Sequence, residues 1–467
     1  MNRSFTIVCI VSLLGATASG APPDNWSSTS SSLWGNGGNW SKGVPGSGDV
    51  AKFNGSAGLQ TSITLLPSSV AGSISFLNAG GASDYTFDTA ATVNRNTLTL
   101  GSGITNSDVG SLTFYNTTIL SGSQSWNNSG GAMAFNGKVN LGSGSSGGTL
   151  TVTGAGDVSL NGVVANGGSA AGNLTMAGTG TTTLSGANTY TGSTTISSGT
   201  LQTNTNGALG SGNPLSIASG ATLYLNGTSQ SVGAFTSSGA LNMGSGGAFT
   251  LLGSASLAGT LSGTGTLTLN AGSTLTLGAN FSDSGINIVL NGGTLKLNGT
   301  SDTFGGLSIT SSSIVDFGTT GSSILNVNGV SLAGSSTLSV QHWANLVDYF
   351  YSNKTTGTQG TAPENQIVFT GHSGNATVWN SYTDGPDNGH QVTPVPESAF
   401  YGSIMIAFSL AGIMAFRRRH PFGNRLPYRQ LRRELENRLC YRASFDHLLV
   451  PVRVPGSGSK GRLSPAK

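Results

Sequence analysis

Gly265-Thr266-Leu267-Thr268-Leu269-Asn270-Ala271-Gly272-Ser273-Thr274-Leu275-Thr276-Leu277 carries the pattern that decides the fold. Leucine and threonine alternate with period two, so one side of the backbone is apolar and the other is wet. Threonine suits the exposed side of a pleated strand. Between the two segments lies Asn270-Ala271-Gly272, a turn sequence whose Gly and Asn reach positive φ at little cost. Working outward, the same alternation returns at Thr97-Leu98-Thr99-Leu100, Thr149-Leu150-Thr151-Val152, Leu223-Tyr224-Leu225 and Leu295-Lys296-Leu297. Almost nothing before Pro394 reads as a helix.

A looser repetition overlies the strands. Gly-Thr-Leu starts at Gly148, Gly199, Gly259, Gly265 and Gly293, with Ala221-Thr222-Leu223, Ser273-Thr274-Leu275 and Ser336-Thr337-Leu338 as variants. Uneven spacing is what a coil of short strands shows when its loops differ in length. Such coils bury a ladder of Leu, Val and Ile, and each turn is stabilised by its neighbours. Strands ~4.8 Å apart, at roughly 20–25 residues per turn, would give a rod on the order of 70–90 Å. The competing architecture is a β-sandwich, disfavoured by the length of the helix-free, charge-poor body.

Gly178-Thr179-Gly180-Thr181-Thr182-Thr183-Leu184-Ser185-Gly186-Ala187-Asn188-Thr189-Tyr190-Thr191-Gly192-Ser193-Thr194-Thr195-Ile196-Ser197-Ser198-Gly199-Thr200-Leu201 resembles the autotransporter-associated β-strand repeat. Leu184 to Gly192 is the most recognisable part, and Gly207 to Gly212 continues it, so the copy runs over 178–212. The resemblance implies a right-handed parallel β-helix of surface or secreted passenger type. A passenger that exports itself would need a barrel of eight or more alternating strands behind it. The single apolar span here makes self-secretion through a barrel unexpected.

Both ends read as targeting segments. Residues 1–20 combine Arg3, an apolar run from Phe5 to Leu14 and the small residues Gly15 to Gly20, the layout of a secretory signal peptide. Near the other end, Val395-Pro396-Glu397-Ser398 precedes an uncharged apolar stretch, Ala399 to Phe416, and Arg417-Arg418-Arg419 follows it. Eighteen helical residues span ~27 Å, enough for a transmembrane helix with the arginines on the cytoplasmic side. Residues 394–419 thus resemble a PEP-CTERM sorting signal. That resemblance implies an exosortase-type membrane peptidase as partner, transient inner-membrane anchoring, and a Gram-negative bacterium that makes exopolysaccharide. Ser398 replaces the usual proline, and the chain continues to Lys467, further than such signals run.

Charge divides the chain sharply. Pro22 to Phe416 holds six Lys/Arg against fourteen Asp/Glu, while Arg417 to Lys467 holds thirteen against three. A net charge of −8 on the body excludes a phosphate-binding surface, so no nucleic acid partner is expected. In residues 420–467, Leu431, Leu435 and Leu439 recur at helical spacing among arginines. This basic tail reads as a helix lying on anionic lipid or, preferred here, as a foreign extension appended by a frameshift or lost stop. Cys9 and Cys440 both lie outside the body, so disulfides do not stabilise it.

The search for chemistry finds isolated groups. Asp84, Asp88, Asp157, Asp283, Asp302 and Asp316 are scattered singly, as turn acids are, without the paired carboxylates that glycoside hydrolysis needs. His342, His372 and His390 lack metal-ligand spacing, and Asp384 to Gly389 lacks the alternating acids of a calcium loop. No enzyme activity and no cofactor are expected. Trp26, Trp34 and Trp40 open the body within residues 21–55, and read as an N-terminal cap over the coil of 56–340 or as sugar-stacking rings. His342-Trp343 with Tyr349, Phe350 and Tyr351 would close the other end, inside a cap and linker of 341–393. The leading function is a noncatalytic structural or adhesin-like protein of the cell surface or exopolysaccharide matrix. Alternatives are a polysaccharide-binding or polysaccharide-degrading β-helix, and ice binding if Thr266/Thr268 and Thr274/Thr276 stack on one flat face.

Overall fold

The structure, a computed structural model, describes residues 24–56, 59–77, 81–344, 347–352, 364–371, 377–381 and 390–394. It is all-β, a parallel β-solenoid of about 14 turns. One turn supplies up to three strands, as in Gly247–Leu251, Ser254–Leu257 and Thr260–Ser262. The next begins again with Gly265–Asn270 and Thr274–Leu277. The repeat length varies: Thr222 pairs with Ala240 eighteen residues on, whereas Ser69 pairs with Leu98 twenty-nine residues on. Loop insertions absorb the difference, which is why the Gly-Thr-Leu spacing is irregular.

Parallel register lines up like with like. On one face Leu150, Leu174, Thr194, Leu215, Phe235, Ala255, Leu275, Leu295, Val315 and Val340 are successive partners, and all point into the dry interior. A one-residue slip would bring every threonine of this face into the core, so hydrophobic burial fixes the register. Near the N-terminus the column is aromatic. Phe87, Phe114 and Phe135 stack at centroid separations of 4.6 Å and 4.6 Å, with interplanar angles of 13° and 3°. This matches the ~4.8 Å spacing of paired strands, so identical rings ride up successive turns face to face.

Corners repeat as well. Leu223-Tyr224-Leu225-Asn226-Gly227-Thr228 and Leu295-Lys296-Leu297-Asn298-Gly299-Thr300 turn in the same way. Asn226 and Gly227 have φ of 51° and 76°, and Asn298 and Gly299 have 58° and 85°. Two consecutive positive φ values are what an Asn-Gly pair supplies at least strain. Each corner then locks, because Thr228 Oγ1 donates to Leu225 O at 2.7 Å and Thr300 Oγ1 to Leu297 O at 2.7 Å.

Parallel pairing starts earlier and ends later than 56 and 340. Asp24–Asn25 already pair with Ala51 and Lys52, and Ile367–Phe369 still pair in parallel with Leu338 to Val340. Antiparallel pairing then enters, where His390–Pro394 joins Thr377–Ser381 and the strand Tyr349–Ser352. Phe350 is buried and packs on Phe317, while Tyr349 and Tyr351 flank it with parallel rings 5.8 Å apart. The signal peptide, the transmembrane stretch 399–416 and the basic tail lie outside the described residues. Among the described residues, no helix is long and apolar enough to cross a membrane.

Candidate functional surface

The most regular feature that faces solvent is a row of hydroxyls. Ser125, Thr151, Thr175, Thr195, Ser216, Thr236, Ser256 and Thr276 are consecutive register partners on one face, and none is buried. Eight rungs extend over ~34 Å at the usual strand spacing. The row then becomes charged at Lys296 and Asp316. Strand alternation produces it: these residues sit between the inward Leu, Ile and Phe positions. Neutral donors and acceptors at rung spacing can hydrogen-bond a neutral polymer, and they give a phosphate or a uronate little charge to meet.

Polar stitches tie turn to turn on the exterior. Asn161 Nδ2 donates to Asn136 Oδ1 at 2.8 Å, Asn226 Nδ2 to Asn204 Oδ1 at 3.0 Å, and Asn291 Nδ2 to Asn270 Oδ1 at 3.0 Å. Threonine pairs separated by one residue do not form a continuous double row. Thr274 and Thr276 face Ser254 and Ser256 on one side, and Thr294 and Lys296 on the other. Lysine interrupts the flat hydroxyl lattice that an ice face would need.

The quoted repeat explains itself through Asn188 and Tyr190. Asn188 Oδ1 accepts from Val164 N at 2.7 Å, and its Nδ2 donates to Ala208 O at 2.6 Å. One buried amide thereby joins three consecutive turns at a corner. Without it a buried N–H and a buried C=O would lose their partners, at about 1–3 kcal/mol each. The Tyr190 hydroxyl lies 2.6 Å from Thr194 Oγ1, and burial pushes the phenol up to about 12, so it stays neutral. Gly192 is required by space: a β-carbon there would sit 2.3 Å from both Asn173 Oδ1 and Gly172 O.

The tryptophans carry a correction. Trp26, Trp34 and Trp40 are 1, 1 and 4 % exposed. Trp26 and Trp34 stand edge-on to Trp40 at 5.0 Å and 4.8 Å, and all three pack around Phe53. Trp26 Nε1 donates to Gln60 O and Trp40 Nε1 to Trp34 O. No indole face is open to a pyranose, so these three rings close the first turns and do not stack on sugar. Their apolar area was more valuable closing the first turns than lying in water. The sorting residues Val395, Pro396, Glu397, Arg417, Arg418 and Arg419 lie outside the described residues.

Acids behave mostly as turn residues. Asp84 Oδ1 accepts from Ser111 N and Ser111 Oγ, which holds its carboxyl below the ordinary value. Asp157 accepts from Thr181 N, Asp283 from Gly285 N and Asp316 from Gly318 N. Asp302 is buried on the strand Ser301–Ser311, and Asp88 and Asp108 are buried as well. Among the described residues, no three His, Cys, Asp or Glu side chains gather as a metal cluster.

Against known families, the passenger-associated-transport-repeat matches residues 174–203. This range takes in most of the strand Asn173–Met176, the strands Thr181–Leu184, Thr194–Ile196 and Thr200–Thr203, and the corner with Asn188, Tyr190 and Gly192. The match supports an autotransporter-associated repeat in a parallel β-solenoid. No curated protein and no solved structure matches the chain.

Proposed function

We propose that the chain is an exported, noncatalytic structural or adhesin-like protein of passenger type, working at the cell surface or in the exopolysaccharide matrix. The observation that carries the reading is the passenger repeat at 174–203 set within a continuous parallel coil. Such a coil holds a long polar surface away from its anchoring point using one narrow core. Its hand is taken as right-handed, the hand that crossovers between parallel strands adopt. Isolated turn carboxylates and an uncharged hydroxyl row suit display and adhesion better than acid–base chemistry.

The finer part of the proposal rests on sequence. Pro396-Glu397, the apolar 399–416 and Arg417-Arg418-Arg419 would deliver the body to an exosortase-type peptidase, with 399–416 held in the inner membrane until processing. A second reading, binding of a neutral polysaccharide along the hydroxyl row from Ser125 to Thr276, is favoured by the neutrality and regularity of that row.

Fractionation of native cells tests the proposal. The body is expected in the surface or matrix fraction, and replacing Arg417, Arg418 and Arg419 by Ala should shift it to the inner membrane in unprocessed form. Recovery of the unaltered protein from the cytoplasm would overturn export, while unchanged processing in the arginine variant would overturn the sorting route alone.

A further inference from the structure

Tyr224 places an aromatic ring on the outer side of the coil, in a different sheet from the row that runs from Ser125 to Thr276. It ends the strand Thr222–Tyr224, where Leu223 points inward, so the ring turns outward and is only partly covered. Its register partners are Gln202 on the turn before and Asn242 on the turn after. Two amides thus bracket one phenol ring on three successive rungs, ~4.8 Å apart.

Each amide at this place is fixed through one of its two polar atoms. Gln202 Nε2 donates to Asn204 Oδ1 at 2.8 Å, and Asn226 Nδ2 donates to the same oxygen at 3.0 Å. Asn226 stands in the corner that Thr228 locks, at a φ of 51°. Asn242 Oδ1 accepts from Gly244 N at 2.9 Å. Among the described residues, Gln202 Oε1, Asn226 Oδ1 and Asn242 Nδ2 make no hydrogen bond, and Gln202 Oε1 and Asn242 Nδ2 are open to water. Polar groups already held in position lose little freedom on meeting a ligand.

An accessible ring flanked by immobilised neutral amides suits a neutral sugar. The ring offers apolar area to the C–H face of a pyranose, and amides offer its hydroxyls both a donor and an acceptor. A uronate or a phosphate would find no cation among these residues to answer its charge. A β-1,4-linked chain is extended and repeats at close to the rung spacing. Laid along the coil axis, it sets one pyranose against Tyr224 and the next ones beside Gln202 and Asn242. We propose that Gln202, Tyr224, Asn226 and Asn242 form a binding site for an extended, neutral β-linked glucan. The site rests neither on the reading of the hydroxyl row nor on the route of export.

The test uses the full chain, with cellohexaose as probe and hexagalacturonate as its charged counterpart. Titration calorimetry is expected to show saturable binding of cellohexaose, half-saturated on the order of 1 mM, and no binding of hexagalacturonate. Tyr224→Ala should weaken binding about 10-fold and Tyr224→Phe by less than ~3-fold, because the ring face carries the stack. Gln202→Ala should weaken it roughly 3-fold, and it carries the test by itself if Tyr224→Ala fails to fold. Thr195→Ala, on the hydroxyl row, should leave binding unchanged. Wild-type protein that ignores cellohexaose would overturn the site, as would folded Tyr224→Ala protein that binds as wild type does. Equal binding of hexagalacturonate would overturn the preference for a neutral chain. Loss of binding in Thr195→Ala, with Tyr224→Ala unaffected, would overturn this site and leave the hydroxyl-row reading standing.

Discussion

Replacing Leu275 by Ala is expected to destabilise the coil by about 3 kcal/mol, within the 2–5 kcal/mol span of buried leucine truncations. The same change one residue on, Thr276→Ala, should move stability by less than about 0.5 kcal/mol. Leu275 is 1 % exposed and sits in the inward row between Ala255 and Leu295, so its truncation opens a void that strand pairing on both sides prevents from collapsing. Thr276 faces water between Ser256 and Lys296. Neighbouring turns share the loss because each is held by the next. Urea unfolding of the two variants, with limited proteolysis to localise the weakened turn, checks the contrast. Equal effects at the two positions would mean that the alternation does not define inside and outside.

Asp302→Asn is expected to stabilise the protein at neutral pH by about 2–3 kcal/mol and to leave it unchanged at pH below 4. Asp302 is 1 % exposed on the strand Ser301–Ser311, its Oδ2 is 2.5 Å from Thr300 Oγ1, and its Oδ1 accepts from Phe281 N. Thr300 Oγ1 also donates to Leu297 O, so its single proton is committed there when Asp302 brings its own. Burial raises the carboxyl from 3.8 to about 6, against smaller opposing effects of Thr300 and Phe281 N. The folded chain thus holds the proton more tightly than the unfolded chain. The stabilisation is complete below pH 3.8 and is lost as pH rises through about 6, where folding must bury a charge. An asparagine amide donates to Thr300 Oγ1 as the protonated acid does, at every pH. Denaturant midpoints of wild type and variant at pH 7.5 and pH 4 check this. A variant no more stable than wild type at pH 7.5 would mean that Asp302 is not buried as described.

The period-two segments were legible because burial on one face imposes them: Leu267-Thr268-Leu269 and Leu275-Thr276-Leu277 fall in strands as read. The repeat at Leu184 to Gly192 was legible as a motif, but not why it needs Asn188. A corner amide finds its partners, Val164 and Ala208, about one turn away on either side, and local sequence holds no record of that pairing. The tryptophans were ambiguous for a physical reason, since indole serves a core and a sugar platform equally well until its neighbours are known. Asp302 reads as a turn acid, and its burial comes from strand phase and stacking, which only the register settles. The outer hydroxyl row was visible strand by strand, yet its length depended on register across eight turns.

Disulfide formation between engineered cysteines tests the parallel coil most directly, in a chain with Cys9 and Cys440 replaced by Ser. Thr195 and Ser216 are register partners on adjacent turns, and Thr236 stands one turn further along the same row. Adjacent parallel strands place Cα atoms within the roughly 4.4–6.8 Å that a disulfide tolerates, and two turns exceed it. The Thr195→Cys/Ser216→Cys protein should oxidise to an intramolecular bridge while Thr195→Cys/Thr236→Cys stays reduced. Bridging of the second pair, or failure of the first in folded protein, would contradict the coil.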